Sequence, residues 1–223
     1  MERVFALKSV RLFFTKKDTA RFISHLDMNR IMTRIVRLSG IDIWYTEGFN
    51  PHPYITFALP LPLGFEGMYE IMDIKITDDD FDISKIPEIL NSVCPPAIRF
   101  FDAIEPQKKV GAIAFAEYEI VFDDLGDIRN KLSAFLVQKP ITAKKRTKKG
   151  DMKEVDLSEK IKDFCISSQD GNTKLTILLP AGSNDNINPS ILLEAFYNEN
   201  GDTYYCFDVK RTAILDENLK KFR

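Results

Sequence analysis

From Lys8 to Lys16 the chain alternates, with Val10, Leu12 and Phe14 on one side of an extended strand and Arg11 and Phe13 on the other. The period then changes to that of a helix. Met28, Ile31, Met32, Ile35 and Leu38 share one face, and Arg30, Arg34 and Arg37 lie together on the opposite side. This predicts an amphipathic helix over His25–Ser39. Ser24 stands where an N-cap is needed, with Asp27 three residues later in a capping-box pattern, and Gly40 supplies the stop. Short strands are predicted at Asp42–Tyr45, Tyr54–Leu59 and Tyr69–Thr77, a second helix at Ile83–Val93 and a further strand at Ala97–Ile104. The order β-α-β-β-β-α-β is close to a ferredoxin-like unit with an added strand.

Glu105-Pro106-Gln107-Lys108-Lys109 reads as a linker, after which the pattern restarts. A strand is predicted at Ala114–Phe122 and an amphipathic helix at Leu125–Val137. Residues 139–149 and Met152–Leu157 read as a hairpin with Lys149-Gly150-Asp151 at its tip. Strands at Lys162–Ser168 and Lys174–Leu179, a helix at Pro189–Asn198 and a strand at Thr203–Ile214 complete the second half. A weak echo links the halves: Thr56-Phe57-Ala58-Leu59-Pro60 resembles Thr176-Ile177-Leu178-Leu179-Pro180. The expected fold is α+β, two tandem ferredoxin-like units with mainly antiparallel sheets, over residues 1–106 and 112–223. The alternative is one large sheet with helices on one face.

Charge adds a second region of interest. The chain has 31 basic and 33 acidic residues, a net of -2. Yet Lys139, Lys144, Lys145, Arg146, Lys148 and Lys149 fall within eleven residues that contain no acid. Like charges this dense repel one another, and a polyanion such as nucleic acid would relieve them. A plain solvated ribbon fits the same pattern. The three cysteines, Cys94, Cys165 and Cys206, have no metal-ligand spacing and read as buried reduced thiols. The N-terminus has no signal-peptide pattern and no apolar run approaches the length of a membrane span, so the expected location is the cytosol, with no membrane partner.

The chemistry that the residues can carry concentrates between Arg21 and Gly64. Both histidines, His25 and His52, lie there. His25 falls in the first turn of the predicted helix, where free backbone N–H groups suit an anion, and Arg21 precedes it. His52 stands between Pro51 and Pro53, which hold the loop Gly48-Phe49-Asn50-Pro51-His52-Pro53 stiff. Either imidazole could move a proton near neutral pH, and either could equally be a satisfied structural residue. The Arg30, Arg34, Arg37 stripe could follow a phosphate backbone, or it could be a solvated face with Asp27 paired to Arg30 or Arg34. Trp44, Tyr45, Phe49, Tyr54 and Phe57 cluster near the loop, and exposed members could stack on bases. No phosphate-binding glycine loop, dinucleotide fingerprint or iron–sulfur cysteine set is present. A metal site from His25, Asp27, Glu47 and His52 has only a weak signal, so no metal and no cofactor is expected.

The ordered set Arg21-Phe22-Ile23-Ser24-His25-Leu26-Asp27, Arg30, Gly48-Phe49-Asn50-Pro51-His52-Pro53, Leu59-Pro60-Leu61-Pro62-Leu63-Gly64, Glu70 and Asp73 resembles the radical-SAM-linked family of bacterial domains of unknown function. The resemblance is densest over residues 8–76. It implies work alongside a radical SAM enzyme, and the family's setting near a ribonuclease and ribosomal proteins points to RNA. The architecture is also similar to that of RAMP-superfamily RNA-processing proteins, which cut RNA without a metal. Tyr54 stands where relatives often carry a basic residue, and the helix end is less arginine-rich than theirs, which weakens a phosphate track on this face. The expectation is an RNA-binding accessory protein for a separate radical SAM enzyme. The alternatives are a protein-interaction module docking on the radical SAM partner through Trp44, Phe49 and Pro60–Pro62, and a metal-independent RNA endonuclease using His25 or His52 with Arg21 or Arg30.

Overall fold

The computed structural model of the chain describes residues 7–123, 127–146, 150–183, 185–200 and 207–223. They form two compact units, one reaching to Ala112 and including Lys221–Arg223, the other spanning Ile113–Lys220. The fold is α+β with antiparallel strand pairs.

The first unit contains β1 (Lys8–Lys16), α1 (His25–Leu38), β2 (Ile55–Phe57), β3 (Glu66–Ile76), α2 (Ile86–Val93) and β4 (Ile98–Ile104). Its strands lie in the order β4-β1-β3-β2, the split arrangement of a ferredoxin-like unit. The register sets Val10 opposite Ile74 and Leu12 opposite Met72. One sheet face therefore collects Val10, Leu12, Phe14, Met72, Ile74 and Ile76, and α1 covers it with Met28, Met32, Ile35 and Val36. α2 adds Ile86 and Leu90 to the same core. On the opposite face Phe13 packs on Tyr69, with ring centroids 5.1 Å apart, and on Phe101 at 6.2 Å.

α1 starts as its sequence requires. The Asp27 N–H donates to Ser24 Oγ at 3.1 Å, and Gly40 takes a left-handed φ of 72° just past the end. Leu38 departs from expectation. It is 57% exposed, and Val36 completes the buried stripe instead. Leu38 sits at the margin of that stripe.

Two predicted strands are corrected. Asp42–Tyr45 is no full strand and contributes only the bridges Ile43–Ile76 and Tyr45–Pro53. Ile43 and Tyr45 bridge to different partners, Ile76 and Pro53, so the segment builds no continuous ladder with one strand. β3 begins at Glu66 rather than Tyr69, because residues 65–67 and 69–72 are all buried and no alternation marks the start. A 3-10 turn at Asp18–Phe22 precedes α1 without a periodic signal.

The second unit contains β5 (Ile113–Phe122), α3 (Ile128–Val137), β6 (Thr142–Arg146), β7 (Met152–Asp156), β8 (Asp163–Gln169), β9 (Asn172–Pro180), α4 (Pro189–Asn200) and β10 (Phe207–Asp216). The order β10-β5-β9-β8 reproduces that of the first unit, with the β6–β7 hairpin inserted after α3. Asp170 and Gly171, at φ 51° and 81°, make the two-residue turn between β8 and β9. The ring of Phe196 on α4 meets Phe135 on α3 edge-on at 5.3 Å in the core. The sequence echo does not fall on equivalent strands. Thr56 and Phe57 lie in β2, whereas Thr176–Pro180 lie in β9, whose counterpart in the first unit is β3.

The cysteines also depart from expectation. Cys165 is exposed on β8, and Cys94 is half-buried, its thiol pushed up to about 11 by burial. Cys206 lies outside the described residues, as do the predicted starts of α3 and β10 and residues 147–149 of the hairpin. Among the described residues no helix is long and apolar enough to cross a membrane.

Candidate functional site

The motif-rich stretch is closed at its two ends. Arg21 Nε donates to Gly64 O at 3.1 Å, and the Gly64 N–H donates back to Arg21 O at 2.8 Å. Gly64 adopts φ 86°, a conformation that disfavours a side chain. Lys16 Nζ donates to Ile23 O at 3.1 Å, and the Asp18 N–H donates to Glu66 Oε1 at 2.9 Å, so the turn before α1 is fixed from both sides.

His25 is exposed in the first turn of α1. Its Nε2 lies 3.2 Å from Asn29 Nδ2, and its ring meets Phe57 edge-on at 5.4 Å. One side of the imidazole lines a slot of about 20 Å³ with Lys16, Met28, Phe57, Pro60 and Glu70. That volume suits a single water and nothing larger. Lys16 and Glu70 are 3% and 4% exposed, so the slot brings two buried charges beside the histidine. His52 is not among its walls.

His52 belongs to a hairpin over residues 44–54. The Thr46 N–H donates to His52 O and the Tyr54 N–H to Trp44 O, both at 2.9 Å. Pro53 faces Tyr45 at a position that requires no N–H, which is why the prolines stiffen this ladder without breaking it. His52 Nδ1 lies 3.0 Å from Thr46 Oγ1 and 3.1 Å from Asn50 O. The Asn50 carbonyl only accepts, so it is satisfied in the tautomer that carries the proton on Nδ1. Gly48 makes the tip at φ 129°, Asn50 is exposed, and Phe49 is fully exposed at 105%.

The arginine face of α1 reaches this hairpin. Arg37 lies 5.9 Å over the ring of Tyr45. Arg34 is exposed, and Arg30 Nη1 donates to Asp27 Oδ1 at 2.9 Å. The Ser24 hydroxyl, and then Arg30, hold the Asp27 carboxyl below the usual carboxylate range. Tyr54 points elsewhere: Lys75 Nζ lies 4.7 Å from its ring centre and 5.1 Å from that of Trp44.

The basic hairpin is less one-sided than residues 139–149 alone imply. In the β6–β7 register Lys144 faces Glu154, Lys145 faces Lys153 and Arg146 faces Met152. Lys145 Nζ donates to Asn186 O at 2.9 Å. Lys144 and Glu154 line a cleft of about 450 Å³ with Glu194 and Glu199 of α4. Lys148 and Lys149 lie outside the described residues, and so does the side chain of Arg146.

Among the described residues the only group of three potential metal ligands close together is exposed Asp78-Asp79-Asp80, far in sequence from His25 and His52. Sequence reasoning missed Lys16, Lys75 and the pair formed by Arg11 and Asp73. Arg11 carried a signal, a cation set between Val10 and Leu12 where a buried charge needs a partner.

A family model described as "Uncharacterized protein conserved in bacteria (DUF2344)" matches residues 9–189. No curated protein matches the chain. Among solved structures, an unknown protein from Galdieria sulphuraria is 11% identical, with 92% of this chain and 99% of that one covered and a TM-score of 0.27. A putative glycine cleavage system transcriptional repressor is 11% identical, with 92% and 98% covered and a TM-score of 0.26. Likenesses this low carry no argument about fold or function.

Proposed function

The chain belongs to this family of uncharacterized proteins conserved in bacteria, and on that premise we propose that it is an RNA-binding accessory protein acting in the cytosol beside a separate radical SAM enzyme. One observation carries the RNA part: the stacking of Arg37 on Tyr45 at 5.9 Å, which joins the exposed arginines of α1 to the hairpin that presents Phe49. Arg30, Arg34 and Arg37 would meet phosphates, and Phe49 would stack on an unpaired base. Asn50 and the His52 imidazole would offer hydrogen bonds to base edges and 2′-hydroxyls. Lys144 and Lys145 would add a weaker interaction, since Glu154 faces Lys144. The enzyme partner rests on the resemblance of the motifs from Arg21 to Asp73.

Binding of a labelled single-stranded RNA, followed by fluorescence anisotropy, tests the reading. Phe49→Ala removes a stacking platform worth about 1–3 kcal/mol and should weaken binding by about 5- to 150-fold. Unchanged affinity in both Phe49→Ala and the Arg34→Ala/Arg37→Ala double variant would rule the surface out.

A second reading, a module that docks on a protein, has its own support. Phe22 and Leu63 flank the Arg21–Gly64 pair and are 70% and 62% exposed. A partner retained after nuclease treatment of a pull-down, and lost in Phe22→Ser/Leu63→Ser, would favour it.

A further inference from the structure

A further opening in the first unit lies neither at His25 nor on the arginine face. It is a cleft of about 790 Å³ whose walls include Tyr54, Lys75, Arg11 and the segment Glu105–Val110. Its size falls in the range of small-molecule sites, roughly 300–1,000 Å³. The segment reads as a linker in sequence, but Arg11 pins it. Arg11 Nη1 donates to Lys108 O at 2.9 Å, while Nε and Nη2 both donate to Asp73 at 2.8 Å. Arg11 is 1% exposed, with Asp73 and Lys108 O taking three of its five N–H donors, so it forms the floor of the cleft.

The charges that remain point to an anion. Asp73 is neutralised by Arg11, and Glu105 lies 3.6 Å from Lys8. Lys75 and Lys109 also line the cleft. Among the described residues neither ammonium group has a hydrogen-bond or ion-pair acceptor. Lys75 rests on the rings of Tyr54 and Trp44, which leave its N–H donors unused. Asp79, also in the wall, has no ion pair among the described residues, and Lys8 Nζ donates to its backbone carbonyl at 3.1 Å. An aromatic wall beside two unneutralised ammonium groups matches a planar base carrying a phosphate.

We propose that this cleft binds one nucleoside phosphate, the base against Tyr54 and the phosphate between Lys75 and Lys109. The site is separate from the arginine surface of α1, and it stands whether or not that surface binds RNA. The unit is supplied either as a free nucleotide or as one residue of an RNA strand.

Isothermal titration of the full chain with AMP, adenosine, inorganic phosphate and a five-residue oligoadenylate tests it. AMP should bind saturably, with adenosine and phosphate each weaker by about tenfold or more, because each keeps only half of the interactions. Lys109→Ala, at an exposed position, and Tyr54→Leu should each weaken AMP several-fold, with the melting temperature recorded to confirm folding. Arg34→Ala/Arg37→Ala should leave AMP binding unchanged, which separates this site from the RNA surface. Oligoadenylate that competes with AMP identifies the strand as the source, and AMP binding without competition identifies the free nucleotide. Absence of saturable AMP binding, phosphate binding as tightly as AMP, or full AMP affinity in both Lys109→Ala and Tyr54→Leu would overturn the proposal.

Discussion

A cation in the interior of an apolar strand needs partners, and Arg11 has them in Asp73, Lys108 O and the ring of Phe222 at 4.7 Å. Removing Asp73 would leave a buried guanidinium without its carboxylate. Asp73→Ala should therefore cost about 3 kcal/mol or more, read as a lowered urea midpoint. A variant with the wild-type midpoint would show that the pair contributes only position. At the start of α1 the expected effect is one of pH. The Asp27 carboxyl is held below its ordinary value of 3.8, first by the Ser24 hydroxyl and then by Arg30. A depressed carboxylate stabilises the folded chain above the unfolded value and loses that contribution as pH falls through the folded one. In Ser24→Ala the Asp27 titration followed by NMR should move up towards 3.8, and an unmoved titration would contradict the hydrogen bond.

Among the elements, α1 was legible because three signals agreed: its apolar spacing, its Ser24 cap and its Gly40 stop. The hairpin β6–β7 was legible from a charge run, a turn signal at Lys149-Gly150-Asp151 and the stretch that follows it. The segment at Asp42–Tyr45 was not, since its pairing depends on where Pro53 falls against Tyr45, a fact of register and not of composition. The start of β3 was hidden for another reason. Gly67 stands opposite Lys16 beside a bulge in β1, and an added Cβ there would fall on the Glu70 side chain. Glu70 is 4% exposed and has little room to yield. Gly67→Ala should destabilise the chain by about 1–3 kcal/mol in thermal unfolding, the usual cost of overpacking, and neutrality would mean that Glu70 swings away. The same dependence on register hid the candidate site. His25, His52 and the arginines stood out by residue type, whereas Lys75 gains meaning only because β3 and the 44–54 hairpin lay it on two aromatic rings.

At the scale of the molecule, two units share one strand order, while the sequence echo between them falls on strands that are not equivalent. The chemistry is unevenly divided between them. Both histidines, the arginine face of α1 and the 790 Å³ cleft lie in the first unit, and the β6–β7 hairpin in the second. The central claim is that the first unit holds RNA through the arginines of α1 on its phosphates and the stacking of the adjoining hairpin on its bases. An arginine that neutralises one phosphate of single-stranded RNA adds about 0.7 to the slope of log affinity against log salt. The most direct measurement compares that slope between the full chain and Arg30→Ala/Arg34→Ala/Arg37→Ala. The account expects the variant's slope to be shallower by about 2 units, with weaker binding at every salt concentration. Identical slopes and affinities in the two proteins would contradict it.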